Sequence, residues 1–330
     1  MLVSIIIPVY QVSDYIERCL LSVMKQDYYE IECIIVDDAT KDDSILKCEK
    51  LIENYSGPIQ FKIIHHPTNL GVSATRNTGT NAATGEYLYY IDSDDEITPD
   101  CIGKLMAPII EDKTIDMVQG NYIQDENGKL INKGISPNAP LKISSNDDVR
   151  KQSLDYYTIN DYSWNKLLKR SFILKHNLYF KEKIVFEDQL WRFYLLKYLE
   201  NVYICNDITY YYHTRPKSLL TETKNTKEKG NSFQIIFDEI FNHLTVGKEW
   251  QELNGVYNNF FFQYLTYVDD IPSFIQTLYL YRNFAKRYGC VYIYIALTIL
   301  GKYGHFRIPR GVLKRFNRIR NKRNRFHGHL

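Results

Sequence analysis

The chain has 330 residues, of which 45% are hydrophobic and 24% charged, enough to bury a sizeable core as one large domain with an appendage, or as two domains. Its net charge of +2 divides into +10 over residues 302–330, which hold ten Lys or Arg and no acid, and −8 elsewhere. The six cysteines, Cys19, Cys33, Cys48, Cys101, Cys205 and Cys290, form no C-x-x-C pair, which argues against a disulfide scaffold and for buried free thiols.

The opening "MLVSIIIP" has no basic region and no cleavage signature, so no signal peptide is expected. Residues 2–7 read as a strand stopped by Pro8. A helix follows, with Asp14 and Glu17 spaced as a capping box and Tyr15, Ile16, Cys19, Leu20 and Val23 at helical spacing. "IECIIV" (31–36) is a second strand, ended by Asp37 and Asp38, and residues 40–43 open a helix carrying Ile45, Leu46, Leu51 and Ile52. A third strand spans 61–64, and His65 and His66 read as loop residues. A short helix through "VSATRNTGTNAA" closes at Gly85, and residues 87–91 form a fourth strand. Thr98 and Pro99 look like the N-cap and first residue of a helix reaching Ile109.

Helices alternating with continuously apolar strands predict an α/β domain with a mostly parallel sheet covered on both faces. Ligands of such sheets bind outside the carboxyl ends of the strands. Here those ends carry Pro8, Val9 and Tyr10, then Asp37 and Asp38, then Asp92, Ser93, Asp94 and Asp95.

Beyond residue 115 the pattern changes. Asn127-Gly128 sits between two short apolar runs as a hairpin turn, and a polar loop covers about 134–150. From Asn231 the chain reads as helical, with Phe233, Ile236, Phe237, Ile240, Phe241 and Leu244 on one stripe. The aromatic segments after 255 suit helix cores or a face meeting a bilayer. The longest apolar run, 291–300, is interrupted at Thr298 and is shorter than the roughly 20 residues a membrane span needs. The basic tail places Val312, Leu313, Phe316 and Ile319 on one side, as an interfacial helix on anionic lipid would, the alternative being a solvated tail. No nucleic-acid motif accompanies the charge.

"YYIDSDDEITP" (89–99) crowds acids against a buried strand end, and such crowding costs several kcal/mol per desolvated ion. Two carboxylates at i and i+2 can share a divalent metal, which in turn implies a phosphorylated ligand. The plainer reading is a solvated acidic loop.

The ordered set "SIIIPVYQVSDYIERCLLSVMKQ", "ECIIVDDATKDDS", "NLGVSATRNTGTNAATGEYLYYIDSDD" and "FEDQLW" resembles the family 2 inverting glycosyltransferases with the GT-A fold, over roughly residues 1–215. The resemblance implies a nucleotide-sugar half at 1–115, an acceptor and catalytic half at 116–225, and a helical region with the basic tail at 226–330. It implies that Pro8, Val9 and Tyr10 hold base and ribose, that Asp37 or Asp38 meets the uracil imide, and that Arg76 and Asn77 approach the pyrophosphate. It implies nucleotide contact by Asp92 and Ser93, a Mn²⁺ or Mg²⁺ ion on Asp94 with Asp92, and donor-sugar or metal-shell contact by Asp95. Asp188, beside Glu187, would be the general base. His213 would be a further metal ligand, Arg215 and Ser218 would be phosphate or loop contacts, and Trp164 and Lys166 would line the acceptor side.

The implied donor is a UDP-sugar, with a dTDP-sugar sharing the same base edge. The implied acceptor is a glycan or lipid-linked glycan in cell-surface polysaccharide assembly, at the cytoplasmic face of the membrane. A nucleotidyltransferase and a dehydrogenase fit less well, because no Gly-rich loop follows the first strand. A catalytically silent glycan-binding protein on the same fold is the alternative from another class.

Overall fold

The computed structural model describes residues 1–214, apart from 127, 133, 136–138 and 154–157, and part of the stretch 229–240. All lie within one compact unit, Met1–Tyr267. The predicted aromatic segments, the basic tail, Arg215, Ser218, Phe233, Phe237, Phe241 and Leu244 lie outside the described residues, whereas Ile236 and Ile240 are helical and buried.

The first half runs β1 (Val3–Val9), α1 (Ile16–Met24), β2 (Ile31–Asp37), α2 (Ser44–Glu53), β3 (Gln60–His65), α3 (Val72–Ala82), β4 (Tyr87–Tyr90), β5 (Glu96–Ile97) and α4 (Cys101–Glu111). The second runs β6 (Met117–Glu126), β7 (Lys129–Asn132), β8 (Lys142–Ile143), α5 (Asn146–Ser153), β9 (Lys166–Lys169), α6 (Arg170–Lys175), α7 (Glu187–Tyr198) and β10 (Val202–His213). All strands join one sheet of order β3-β2-β1-β4-β9-β6-β10-β5, with β7 on β6 and β8 on β10.

β1 pairs in parallel with β2 and β4, and β2 with β3. Alternate residues of β1 feed two cores: Ile5 and Ile7 pack with Cys19, Leu20 and Leu105 on one face, while Ile6 packs with Leu88, Tyr90 and Trp191 on the other. A strand buried on both faces must be apolar throughout, which is why these segments read as unbroken runs. β9 runs antiparallel between β4 and β6, so the sheet continues without a break across residue 115. β6 and β7 pair as a hairpin, with Glu126 opposite Lys129 and Gly128 at φ +86°, while Asn127 lies outside the described residues. Cys19, Cys33, Cys48, Cys101 and Cys205 are buried free thiols. Among the described residues no helix is long and apolar enough to cross a membrane.

Local details differ from the sequence expectations. Pro8 does not stop β1, which pairs with β2 as far as Val9–Asp37. Pairing with β4 ends at Ile6–Tyr90, so the missing Pro8 N–H falls where no partner strand remains. The Asp14–Glu17 capping box does not form: Tyr15 occupies the N-cap without a side-chain bond, and Glu17 pairs instead with Lys47. α4 begins after Asp100, because Thr98 Oγ1 donates to Asp100 Oδ1 in a preceding turn. The supposed loop at 134–150 contains β8 and the start of α5.

Candidate active site

The parallel register sets the carboxyl ends of β1, β2 and β4 on one rim. Pro8 and Val9 are buried there, and Tyr10, 40% exposed, is the first residue beyond the strand. The acids after β4 turn back on themselves, Asp95 N donating to Asp92 O at 3.1 Å.

The turn divides these carboxylates between inside and outside. Asp95 is fully buried: Tyr210 Oη donates to its Oδ2 at 2.7 Å and the His213 backbone N–H to its Oδ1 at 2.8 Å. Burial, then the nearby Asp94 and Asp92 charges, push Asp95 well above the usual carboxylate range. Asp92 stays partly open and accepts a bond from Arg76 Nη2 at 2.8 Å. Arg18 Nη2 donates to the Asp94 carbonyl at 2.6 Å. Ser93 is buried. The acidic crowding is therefore offset within the protein itself, by one buried guanidinium and by turning one carboxyl inward.

Arg76, 5% exposed on α3, also donates to Glu187 Oε1 at 2.5 Å, and its guanidinium lies 5.3 Å from the centre of the Phe180 ring. It thereby ties the acidic turn to the start of α7. Phe186 enters that helix in a left-handed conformation, φ +63°, a strained state for a non-glycine residue. Asp188 follows, its Oδ1 accepting from the Gln189 N–H. Enclosure and the neighbouring Glu187 carboxylate raise the Asp188 pKa well above normal, opposed by Arg76. A carboxylate raised toward neutrality suits proton abstraction.

Asp37 and Asp38 differ. Asp38, 2% exposed, accepts from His66 Nδ1, Leu70 N and Gly71 N, each at 2.8 Å, and His66 Nε2 reaches Thr78 Oγ1 at 2.9 Å. This network fixes the β3–α3 connection, so His66 is a buried organiser rather than a plain loop residue. Asp37 accepts from Thr40 N and meets His65 Nδ1 at the strand end.

Other expected site residues turn inward. Asn77 clips the Phe180 backbone through both its N–H and its carbonyl, at 2.8 and 2.9 Å. Trp164, 4% exposed, lies stacked against Tyr162 and Tyr210, each with ring centres 4.4 Å away. Lys166, 1% exposed, donates to Asn160 Oδ1 and the Tyr162 carbonyl, and burial lowers its pKa to about 7. Neither presents an open surface to an acceptor. His213 has both ring nitrogens on carboxylates, Glu96 at 2.8 Å and Asp125 at 3.2 Å, and joins three strands rather than standing open to an ion.

Arg18 and Tyr210 were absent from the sequence candidates. No local pattern marks them, since each acts across more than 70 residues of chain.

Comparison with known proteins gives these features a family. The model "Glycosyl transferase family 2" matches residues 4–177. EpsJ of Bacillus subtilis, an uncharacterized glycosyltransferase, is 31% identical over 222 residues, covering 66% of this chain and 62% of that protein. EpsH of the same organism is 32% identical over 231 residues with the same coverages. The chain thus matches about three fifths of the length of these relatives. Among solved structures, Staphylococcus aureus TarS residues 1–349 with UDP-GlcNAc superposes with a TM-score of 0.63 at 22% identity, covering 81% of this chain and 73% of that one. The mannosyltransferase PcManGT of Pyrobaculum calidifontis, with GDP-Man and Mn²⁺, gives 0.54 at 12% identity, over 92% and 88% of the two chains. The chain carries the GT-A fold and belongs to glycosyl transferase family 2.

Proposed function

We propose that this chain moves a sugar from a UDP-sugar to a hydroxyl of a glycan or lipid-linked glycan, with inversion, in cell-surface polysaccharide synthesis. The observation that carries the reading is the buried Arg76, which joins the acidic turn at Asp92 to the helix start bearing Asp188. The donor class is supported by the UDP-GlcNAc and UDP complexes of TarS, itself named a poly(ribitol-phosphate) β-N-acetylglucosaminyltransferase.

Asp188, held above the ordinary carboxylate range, takes the proton of the attacking hydroxyl. Tyr10 and Asp37 line the rim where the base and ribose would lie. Asp38 shapes that rim from behind, and Asp95 anchors the acidic turn. Asp92 retains an oxygen outside its ion pair and is partly exposed, which suits a divalent ion. Among the described residues no group of three or more His, Cys, Asp or Glu could hold a metal alone, so the ligand's phosphates would complete the shell. Asp92 and Asp94 would hold Mn²⁺ or Mg²⁺, which would supply positive charge to the departing diphosphate. Work at the cytoplasmic membrane surface, through the basic tail, belongs to the same proposal.

Calorimetric titration with UDP, dTDP, GDP and CMP, with and without Mn²⁺, tests the reading. UDP is expected to bind with Mn²⁺ and to lose affinity in Asp94→Ala. A dTDP preference would redirect the donor class, and tight binding with no donor turnover would favour the silent glycan-binding alternative. A folded sample that binds no nucleotide overturns the proposal.

A further inference from the structure

A cleft opens beside the acidic turn, about 400 Å³ in volume, between α1 on one side and the β5–Pro99 segment with Tyr211 on the other. The α1 wall is Arg18, Leu21 and Lys25, at i, i+3 and i+7, one outward stripe of the helix. The facing wall adds Ile97, Pro99 and Tyr211. Leu21 stands 38% exposed between the two cations, an apolar surface in the middle of a charged rim.

The charges in this cleft are unequally matched. Glu96 is the acid among the lining residues, and it is held by His213 Nε2 at 2.8 Å. Arg18 Nε is buried 3.9 Å from Glu96 and its Nη2 donates to the Asp94 carbonyl at 2.6 Å, while the side chain as a whole stays 39% exposed, with Nη1 in no hydrogen bond among the described residues. No ion pair or hydrogen bond of the Lys25 side chain is found among the described residues. Two cations about 10 Å apart along the helix thus retain donor capacity, with apolar surface between them. Both side chains are long enough to converge on one multivalent anion.

We infer that this cleft binds a phosphate group carrying an apolar chain, with Arg18 and Lys25 on the phosphate oxygens and Leu21, Ile97, Pro99 and Tyr211 along the chain. A free phosphate lacks the apolar half, and a neutral amphiphile lacks the charged half. The cleft adjoins the proposed donor site through Arg18, whose Nη2 also donates to the Asp94 carbonyl, while Lys25, Leu21, Ile97, Pro99 and Tyr211 have no part in that proposal.

Octyl phosphate, inorganic phosphate and neutral octyl glucoside, each below its micellar concentration, are the probes, read by calorimetry on the full chain. Octyl phosphate is expected to bind more tightly than either of the others, and to weaken as salt rises. Lys25→Gln should weaken it by about tenfold, the worth of one charge-assisted contact. Leu21→Asn should weaken octyl phosphate while leaving inorganic phosphate unchanged. Both positions lie at the surface, and an unaltered thermal midpoint verifies that the variants fold. No octyl phosphate binding, equal binding of octyl glucoside, or undiminished affinity in the Lys25→Gln/Leu21→Asn double variant overturns the inference.

Discussion

Arg76 and Glu187 meet at 2.5 Å although 111 residues separate them in the chain. The same guanidinium holds Asp92, so one cation neutralises acids from two distant segments. Because Arg76 and Glu187 are both largely buried, deletion leaves uncompensated charge rather than a lost surface contact. Arg76→Ala is expected to destabilise the fold by about 3–5 kcal/mol, read by urea unfolding. Arg76→Ala/Glu187→Gln should recover part of that loss, and additive losses in the pair would contradict the coupling.

Asp188→Asn should lower the transfer rate by about 10²–10⁴-fold, with nucleotide affinity retained. A folded pKa raised above the unfolded one means that the native state binds more protons in the window between them. Stability contributed by this group is therefore present at low pH and falls as pH rises through the raised value. At neutral pH the Asn variant should be the more stable protein and the less active one. Activity of the parent should rise with pH along an acid limb lying above the usual carboxylate range. A limb near 3.8, the ordinary aspartate value, would remove Asp188 as the base.

Tyr210→Phe removes the donor to Asp95 Oδ2 and leaves a fully buried carboxyl oxygen without that partner. The expected cost is about 1–3 kcal/mol. A change confined to stability, with nucleotide affinity unaltered, would separate anchoring of the turn from ligand contact. Thermal unfolding and UDP titration of the same variant make the comparison.

Lys166 has the opposite sign. Burial lowers its folded pKa from 10.5 to about 7, so the unfolded chain binds more protons between those values. Stability contributed by this group rises with pH across that window. Urea unfolding of the parent and of Lys166→Met at pH 7 and pH 9.5 should show a steeper gain for the parent. Equal slopes would mean that Lys166 stays charged when folded.

Much of the first half was legible because a strand buried on both faces must be apolar, and the acids that end β2 and β4 interrupt that run abruptly. "FEDQLW" was legible as an ordered motif, and Asp188 does sit in the first turn of a helix whose Glu187 is tied through Arg76 to the acidic turn. What could not be read was direction. Trp164 and Lys166 carry polar or aromatic chemistry in the sequence, yet both turn inward, Trp164 stacked against Tyr162 and Tyr210 and Lys166 held by Asn160 and the Tyr162 carbonyl. Asp95 looks like Asp92 and Asp94, and a tyrosine 115 residues away sets it apart. The capping box failed for a related reason: Glu17 found Lys47 on the neighbouring helix, and tertiary pairing outweighed the local rule.

The position of β9 bears on how the chain reaches its native state. Until residues 166–169 emerge from the ribosome, β4 presents an open apolar edge that nothing nearer in sequence can pair. A fragment ending near residue 115 would keep that edge permanently, and its natural fate is self-association through strand addition. Folding of the parent should be slow for its size, because closing this seam demands contacts of high sequence separation. Holding the nascent edge apart from its copies is then a task for chaperones during synthesis.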